Sequence, residues 1–558
     1  MPKPITNAPA ISHWDSETRL LAWLATCVSV VSFLFYFQRG DVLLYGDAVA
    51  HINIARRVFD SKTPGLLQLG TVWLPLPHLL MIPFVISNEM WRRGLGGSIP
   101  SLVAYAFGVV GMFRLVRGAL ADGNKPDAAA RIAAWSAAIV YAANPNLIYM
   151  QTTAMGEALY LALFIWGVVY FSESQQEEGK ALTKCGLCLA AACLTRYDSW
   201  FLAAVMVTVI AVLSVRSGKT TSETAPQISR SGVAKFVLIA AAAPALWLAY
   251  NGIVYRNPLE FENGPYSAKA IERKTQSAGN PGHPGSGNLV VAGLYFVKSG
   301  EVNMAENPWL QRLWLALGFV ALAAVASRFW HTRTNDGARR SCLPLLLLLV
   351  PVPFYMLSVA YGGVPIFVPA WWPYTHYNVR YGLQLLPAFA AAFAVAVYFV
   401  ARPERWKPRL RLVLMLGALV LLVASYASSW RAGTVCLKEA EINMRSRNQL
   451  EAQLALWLRK LPPTSTLLMY LGDHVGAVQQ AGIPLKEVIN EGNHRVWKQP
   501  VDPEGLWERA LANPARYADY VVAFEGDPVW QAVHERHLTE LLEIHVTGQA
   551  RAIVYHAR

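Results

Sequence analysis

The sequence predicts an α-helical polytopic membrane protein of about eleven spans, followed by a small α/β domain at its C-terminus. Three observations carry this. Hydrophobic residues make up 54% of the 558-residue chain and charged residues 15%, against about 25% charged in soluble domains. The deficit is uneven: long apolar blocks alternate with short basic clusters, as bilayer spans alternate with wet loops. Beyond about residue 430 the pattern changes, and short β-like runs alternate with helical ones.

The apolar blocks fall at 20–37, 99–117, 131–148, 155–171, 182–195, 199–215, 234–250, 309–327, 342–360, 380–400 and 410–428. A polar stretch precedes the first block and no A-x-A-like site follows it, so the first span reads as a signal anchor. The block Leu74–Met90 contains Pro75, Pro77 and Pro83. Those prolines favour a broken helix that lies on the outer surface or dips in without crossing. Four basic clusters set the orientation. They are Arg114, Arg117, Lys125 and Arg131; Arg216, Lys219, Arg230 and Lys235; Arg328, Arg333, Arg339 and Arg340; and Arg402, Arg405, Lys407, Arg409 and Arg411. All are expected on the cytoplasmic side of a plasma (inner) membrane. The outer side then receives a long first loop (38–98), turns at 149–157 and 196–199, a loop at 251–308, a turn at 361–379 and the region 431–558. The stretch QSAGNPGHPGSGN at 276–288 has the composition of a mobile loop.

In the C-terminal region Ser465–Leu471, Tyr520–Glu525 and Ala552–His556 read as strands, and Val475–Ala481 and Val529–Arg536 as helices. The resulting division is a membrane domain, 1–430, and a soluble extracytoplasmic domain, 431–558. No phosphate loop, nucleophile elbow, metal spacing or internal repeat stands out. The net charge of +13 sits in short loops between apolar blocks, which suits membrane orientation and anionic lipid phosphate rather than nucleic acid. The six cysteines form no disulfide framework. Cys185 and Cys188 make a C-x-x-C inside an apolar run, where packing is the better reading.

The first outer loop, DVLLYGDAVAHINIARRVFDSKTPGLLQLGTVWLPLPHLL, is the most informative segment. If Ala48–Phe59 is a helix, Asp47 lies at its N-terminus and His51 one turn on. A carboxylate at the membrane–water boundary suits a general base, and an Asp at a helix N-terminus equally suits a cap. The residues alone leave both open.

Several segments resemble the GT-C superfamily of integral membrane glycosyltransferases, the glycosyltransferase family 39 type above all. That type includes protein O-mannosyltransferases and lipid A aminoarabinose transferases. The segments are YGDA at Tyr45–Ala48, WLPLPH at Trp73–His78, NPNLIYMQTTAMGE at Asn144–Glu157, LTRYDSW at Leu194–Trp200 and NVRYGLQLLP at Asn378–Pro387. Their order, spacing and common side carry the resemblance across residues 20–430. It implies a GT-C fold and transfer of a sugar from a polyprenyl-phosphate donor to a protein, lipid or glycan acceptor on the non-cytoplasmic side, with inversion. Asp47 matches the catalytic carboxylate, Glu157 the second acidic position, and Arg380 the basic residue facing the lipid phosphate. Arg196 and His51 are further substrate-binding candidates.

The chemistry agrees with this allocation. A phosphate leaving group needs positive charge as the glycosidic bond breaks, which the forked donors of Arg supply. Arg380 also stands on the outer side, against the positive-inside bias, although a snorkelling Arg at a helix end is the structural alternative. Arg196 and Asp198 have the alternative of pairing with each other. His51, His78 and His376 read as structural rather than as metal ligands. Asp41 and Asp47 are six apart, so no D-x-D supports a divalent metal, and no cofactor is expected with certainty. AWWPYT at Ala370–Thr375 has Pro373 where oligosaccharyltransferases carry an acid, and interfacial aromatics account for it. The rival readings are a transporter or flippase of lipid-linked sugars and a non-catalytic envelope assembly protein. Transporters favour inverted repeats and mid-membrane polar residues, whereas here the polar residues gather at one face.

Overall fold

The structure is a computed structural model that describes residues 14–120, 127–174, 180–217, 230–277, 279, 281–331, 344–402, 406–493 and 505–557. Of the sequence expectations, Lys125, Lys219, Arg333, Arg339, Arg340, Arg405 and Cys342 fall outside the described residues.

Helices dominate. In chain order they begin with α1 (Ser16–Arg39), α2 (Gly46–Arg57), α3 (Leu76–Val85), α4 (Asn88–Arg92), α5 (Leu95–Leu120), α6 (Ala128–Ala142), α7 (Pro145–Met150) and α8 (Glu157–Ser174). Then come α9 (Lys180–Cys193), α10 (Asp198–Ser217), α11 (Arg230–Val254), α12 (Glu260–Asn263), α13 (Ala268–Ser277), α14 (Leu289–Met304) and α15 (Pro308–His331). They continue with α16 (Pro351–Tyr361), α17 (Leu386–Ala401), α18 (Pro408–Ala432) and α19 (Val435–Leu458). Local chemistry sets the ends. The Asp15 carboxylate accepts from Thr18 N at 2.9 Å to open α1, and Gly40 closes it at φ 78°. Asn144 caps α7 by accepting from the N–H groups of Asn146 and Leu147.

Among the described residues, seven stretches are long and apolar enough to cross a bilayer: Ser16–Arg39, Leu95–Leu120, Arg230–Val254, Pro308–Ser327, Pro344–Tyr361, Val379–Ala401 and Pro408–Leu458. The chain is therefore a multi-pass membrane protein. Of the eleven expected blocks, 131–148 and 182–195 give helices of 15 and 14 residues, while 155–171 and 199–215 give the 18-residue α8 and the 20-residue α10. The first breaks at Asn144 into α6 and α7, and the 14-residue α9 spans about 21 Å, short of the roughly 30 Å hydrocarbon core. The proline-rich block gives the ten-residue α3 with Pro83 inside it, about 15 Å long and likewise too short to cross. The loop expected to be mobile is anchored at two points. Gly287 N donates to Ala360 O at 2.8 Å, and His283 lies 3.1 Å from Glu272.

The bundle has two chemically distinct ends. At one, Arg117 pairs with Asp15, Arg131 with Glu17 and Arg114 with Glu173. At the other, α1 ends at Arg39, which holds the buried Asp41 at 2.6 Å. That second end carries α2, α3 and the C-terminal region.

The C-terminal region holds a five-stranded sheet in the order β2-β1-β3-β5-β4. The strands are β1 (Leu467–Met469), β2 (Val488–Ile489), β3 (Tyr520–Phe524), β4 (Thr539–Ile544) and β5 (Ala552–His556). β1 pairs in parallel with β2 and β3, and β5 pairs antiparallel with β3 and β4. The connections carry α20 (Leu471–Ala481), α21 (Leu506–Ala512), α22 (Pro514–Tyr517) and α23 (Pro528–Val533). Leu468, Ile489, Val521 and Ile553 pack with Trp507 on one face.

The first loop joins sheet to bundle. Asn53 Nδ2 donates to Gln479 Oε1 at 2.7 Å, Gln479 Nε2 to Trp91 O at 2.8 Å, and Gln68 Nε2 to Gly492 O at 2.9 Å.

Asp527 caps α23 by accepting from Trp530 N at 2.6 Å. Burial pushes its carboxyl up to about 6 even so. A carboxyl raised on folding binds its proton more tightly in the folded state. Stability is therefore lost as pH rises from about 4 to about 6, and the deficit persists above. Asparagine caps as well as aspartate. Asp527→Asn is thus expected to stabilise the chain by about 1–3 kcal/mol at pH 7.5 and by nothing measurable at pH 4. Apparent melting temperature at the two pH values measures it, and an equal shift at both contradicts the assignment.

Candidate functional site

Four segments far apart in sequence meet at the sheet end of the bundle. α2 contributes Asp47 in its first turn. The Asp47 side chain does not cap the helix, since Tyr45 is the N-cap and no side-chain cap bond forms. Its Oδ2 instead accepts from Arg380 Nη2 at 2.6 Å. The 3₁₀ segment Val379–Leu385 contributes Arg380, which enters from Asn378 at φ 54°. α8 opens with the buried Glu157. α19 contributes Glu439, also buried.

Arg380 is the hub. Its Nη1 donates to Glu439 Oε1 at 2.6 Å, and its Nε lies 3.3 Å from Glu157 Oε1. Glu439 grips the backbone as well, accepting from Arg380 N at 3.2 Å and Asn378 N at 3.1 Å. Glu157 Oε1 is shared with Arg196 Nη1 at 3.3 Å. Arg196 Nε lies 3.3 Å from Asp198 Oδ2, and its Nη2 donates to Tyr355 OH at 2.8 Å. Tyr381 presents its ring to both guanidiniums, at 5.1 Å from Arg380 and 4.9 Å from Arg196. Tyr45 lies 5.2 Å from Arg380.

Four carboxylates thus surround two guanidiniums, a formal surplus of two negative charges. Glu157 Oε2 and Asp198 Oδ1 are buried without a hydrogen-bond partner. Asp47 is the open member: its side chain is 40% exposed, against 1% for Glu157 and Glu439. It is the carboxylate that an incoming group can reach. Among the described residues no group of three His, Cys, Asp or Glu is placed to hold a metal.

His51 belongs to a neighbouring pair. Its Nδ1 lies 2.7 Å from His78 Nε2, and its ring packs 4.8 Å from Trp73. Burial holds His51 below its ordinary pKa range, so the ring is neutral. His78 Nδ1 is buried with no partner. An unfilled lone pair there costs less than an unfilled N–H. That preference makes His78 Nε2 the donor to His51 Nδ1 and leaves the His51 proton on Nε2.

The structure therefore brings together Asp47, Glu157, Arg196 and Arg380 and sets His51 in a pair with His78. Arg380, matched by the resemblance to the basic residue that faces the lipid phosphate, has its Nη1 and Nη2 on carboxylates here. Glu439 was not singled out. It sits two residues from Glu441 on a polar helix, and nothing local marks which of the two turns inward.

Backbone packing fixes the Arg380 segment. A Cβ on Gly382 would meet the Ser299 carbonyl group at 2.2 Å. Gly382→Ala is expected to shift this segment and to cost roughly 1–3 kcal/mol, the usual range for overpacking. A thermal melt of purified protein reads it, and an unchanged melting temperature contradicts the tight approach.

No family model matches the chain, and no curated protein does. Among solved structures, ArnT from Cupriavidus metallidurans bound to undecaprenyl phosphate aligns with a TM-score of 0.53 at 14% identity, covering 97% of this chain and 98% of that one. The apo form of the same protein gives 0.49 at 14% identity, covering 97% and 99%. Archaeal oligosaccharyltransferase AglB from Archaeoglobus fulgidus, in complex with an inhibitory peptide and a dolichol-phosphate, gives 0.45 at 13% identity, covering 97% and 74%. The likeness to ArnT bound to undecaprenyl phosphate shows the fold: the two chains share one architecture over nearly their whole lengths.

Proposed function

We propose that this chain is a membrane glycosyltransferase that moves a sugar from a polyprenyl-phosphate donor to an acceptor on the non-cytoplasmic face of the plasma (inner) membrane. The carrying observation is Asp47, the one accessible carboxylate of an otherwise buried network, held in place by Arg380. In this reading Asp47 takes the proton of the acceptor nucleophile. The nucleophile attacks the anomeric carbon as the bond to the phosphate oxygen breaks, and polyprenyl phosphate leaves with the electron pair. Direct displacement inverts that carbon. Arg380 and Arg196 supply fixed positive charge as the phosphate departs, Glu157 holds the two guanidiniums together, and His51 Nε2–H is a donor to bound sugar. Residues 1–430 form the catalytic membrane domain and 431–558 an extracytoplasmic domain that covers it.

Two further observations support the donor class. A cavity of about 180 Å³ lies between α15, residues 345–352 and α17, lined by apolar side chains including Leu315, Phe319, Leu349, Leu385 and Phe389. Leu385, which lines this cavity, ends the 3₁₀ segment that carries Arg380. ArnT, which shares the fold, was solved with undecaprenyl phosphate.

The test is release of polyprenyl phosphate by the full chain in proteoliposomes, offered a panel of polyprenyl-phosphate sugars. Release with one donor is the expected result. No release with any donor, together with labelled sugar lipid appearing across the vesicle membrane unchanged, sinks the enzyme reading in favour of transport.

A further inference from the structure

Among the described residues, Arg57 is an exception among those arginines at the sheet end that are not exposed. Arg56 is held by Asp60 at 2.7 Å and Arg447 by Glu451 at 3.0 Å, while Arg196 and Arg380 sit in the carboxylate network. Arg57 ends α2 half-buried, and among the described residues no carboxylate forms an ion pair with it. Its Nε donates to Gln68 O at 2.6 Å.

The surrounding chain is shaped to this side chain. Gly65 and Gly70 take positive φ, 140° and 76°, and bend the Leu66–Leu69 turn around it. A Cβ added to Gly70 would sit 3.5 Å from Arg57 Nη2. Tyr250 OH donates to Leu66 O at 3.1 Å and closes one wall. Burial pushes the Arg57 pKa down, and Glu491, Tyr255 and Tyr250 nearby do not restore it. A partly desolvated guanidinium without an ion pair loses hydration with little Coulomb return. Its planar fork matches a phosphate.

We propose that Arg57 anchors a second, anion-binding subsite that takes a phosphate group carried by the acceptor substrate. The word acceptor rests on the glycosyltransferase reading; the anion site does not. Asp47 and Arg57 stand at opposite ends of α2, ten residues apart, which is about 15 Å at 1.5 Å per residue. The phosphate that leaves the reacting sugar must lie close to the attacking atom, since reacting atoms approach to roughly 3–3.5 Å. An anion at Arg57 is too distant for that role and belongs to the other substrate. Its source is either a lipid headgroup or a water-soluble phosphorylated glycan, and the same guanidinium chemistry serves both.

The experiment uses the full chain in phosphatidylcholine nanodiscs, treated with phenylglyoxal and mapped by peptide mass. Two probes are compared: glycerol phosphate in solution, and phosphatidic acid in the disc. Arg57 is expected to react in the probe-free protein and to be protected by one of the two. Protection by glycerol phosphate alone assigns a soluble phosphate, and by phosphatidic acid alone a lipid one. Arg57→Gln should weaken saturable binding of the protecting probe by about tenfold or more, the factor one charge-assisted bond is worth. Arg57→Lys, which keeps the charge without the fork, should fall between. Unreactive Arg57 in the probe-free protein, or protection by neither probe, overturns the proposal. Protection needs no turnover, so it can stand where donor release fails and fail where donor release stands.

Discussion

Asp47→Asn is expected to lower sugar transfer by about 10²–10⁴-fold, the range over which a positioned general base contributes, while the chain stays folded. The side chain is 40% exposed, so losing its charge removes little folding free energy. Arg380 keeps Glu439 and Glu157. The substitution preserves shape and hydrogen bonding to Arg380 and deletes only the capacity to take a proton. Initial rates at saturating donor, compared on material with the same gel-filtration profile and melting temperature, give the result. Wild-type turnover by Asp47→Asn would remove this carboxylate from the chemistry and leave it as a tether for Arg380.

Glu439→Ala should act through stability first. It strips a buried guanidinium of its 2.6 Å partner and leaves the Asn378 and Arg380 N–H groups without their acceptor. Breaking one side of a buried ion pair costs about 3–5 kcal/mol because the surviving charge stays buried. Glu439→Gln is expected to be milder, since its amide oxygen can still accept from the backbone. Thermal unfolding of the three proteins side by side measures the order: wild type, then Gln, then Ala. Equal melting temperatures would mean that Glu439 does not hold this segment.

The helical architecture was legible because apolar block length is set by bilayer thickness and survives without any tertiary information. The proline-rich block 74–90 gives the ten-residue α3, which runs through Pro83, and then the separate α4. The sheet was read less completely. β3 and β5 are apolar runs and were visible. β4, Thr539–Ile544, is largely exposed and carries two glutamates, so it shows no alternation to detect, and the two-residue β2 is defined by its pairing with β1 alone. Within the site, Asp47, Glu157, Arg196 and Arg380 stood out because each lies in one of the short motif segments on the outer side of the apolar blocks. Glu439 follows the last block on a helix already rich in charge, where inward and outward acids look alike. Which carboxylate meets which guanidinium depends on how the spans pack, and no local pattern encodes that.

The charged network is closed by residues from opposite ends of the chain. Arg380 and Asp47 are 333 positions apart, and Tyr45 OH reaches Cys436 O across 391. Synthesis at about 5–20 residues per second separates the emergence of Asp47 from that of Arg380, 333 residues later, by roughly 17–67 s. Over that interval the nascent chain lies in the membrane with its acid in place and its counter-charges unmade. The contact between Asp47 and Arg380 is completed only once the late 3₁₀ segment has been made, so a chain stopped before residue 379 has the first outer loop without the arginine that holds it.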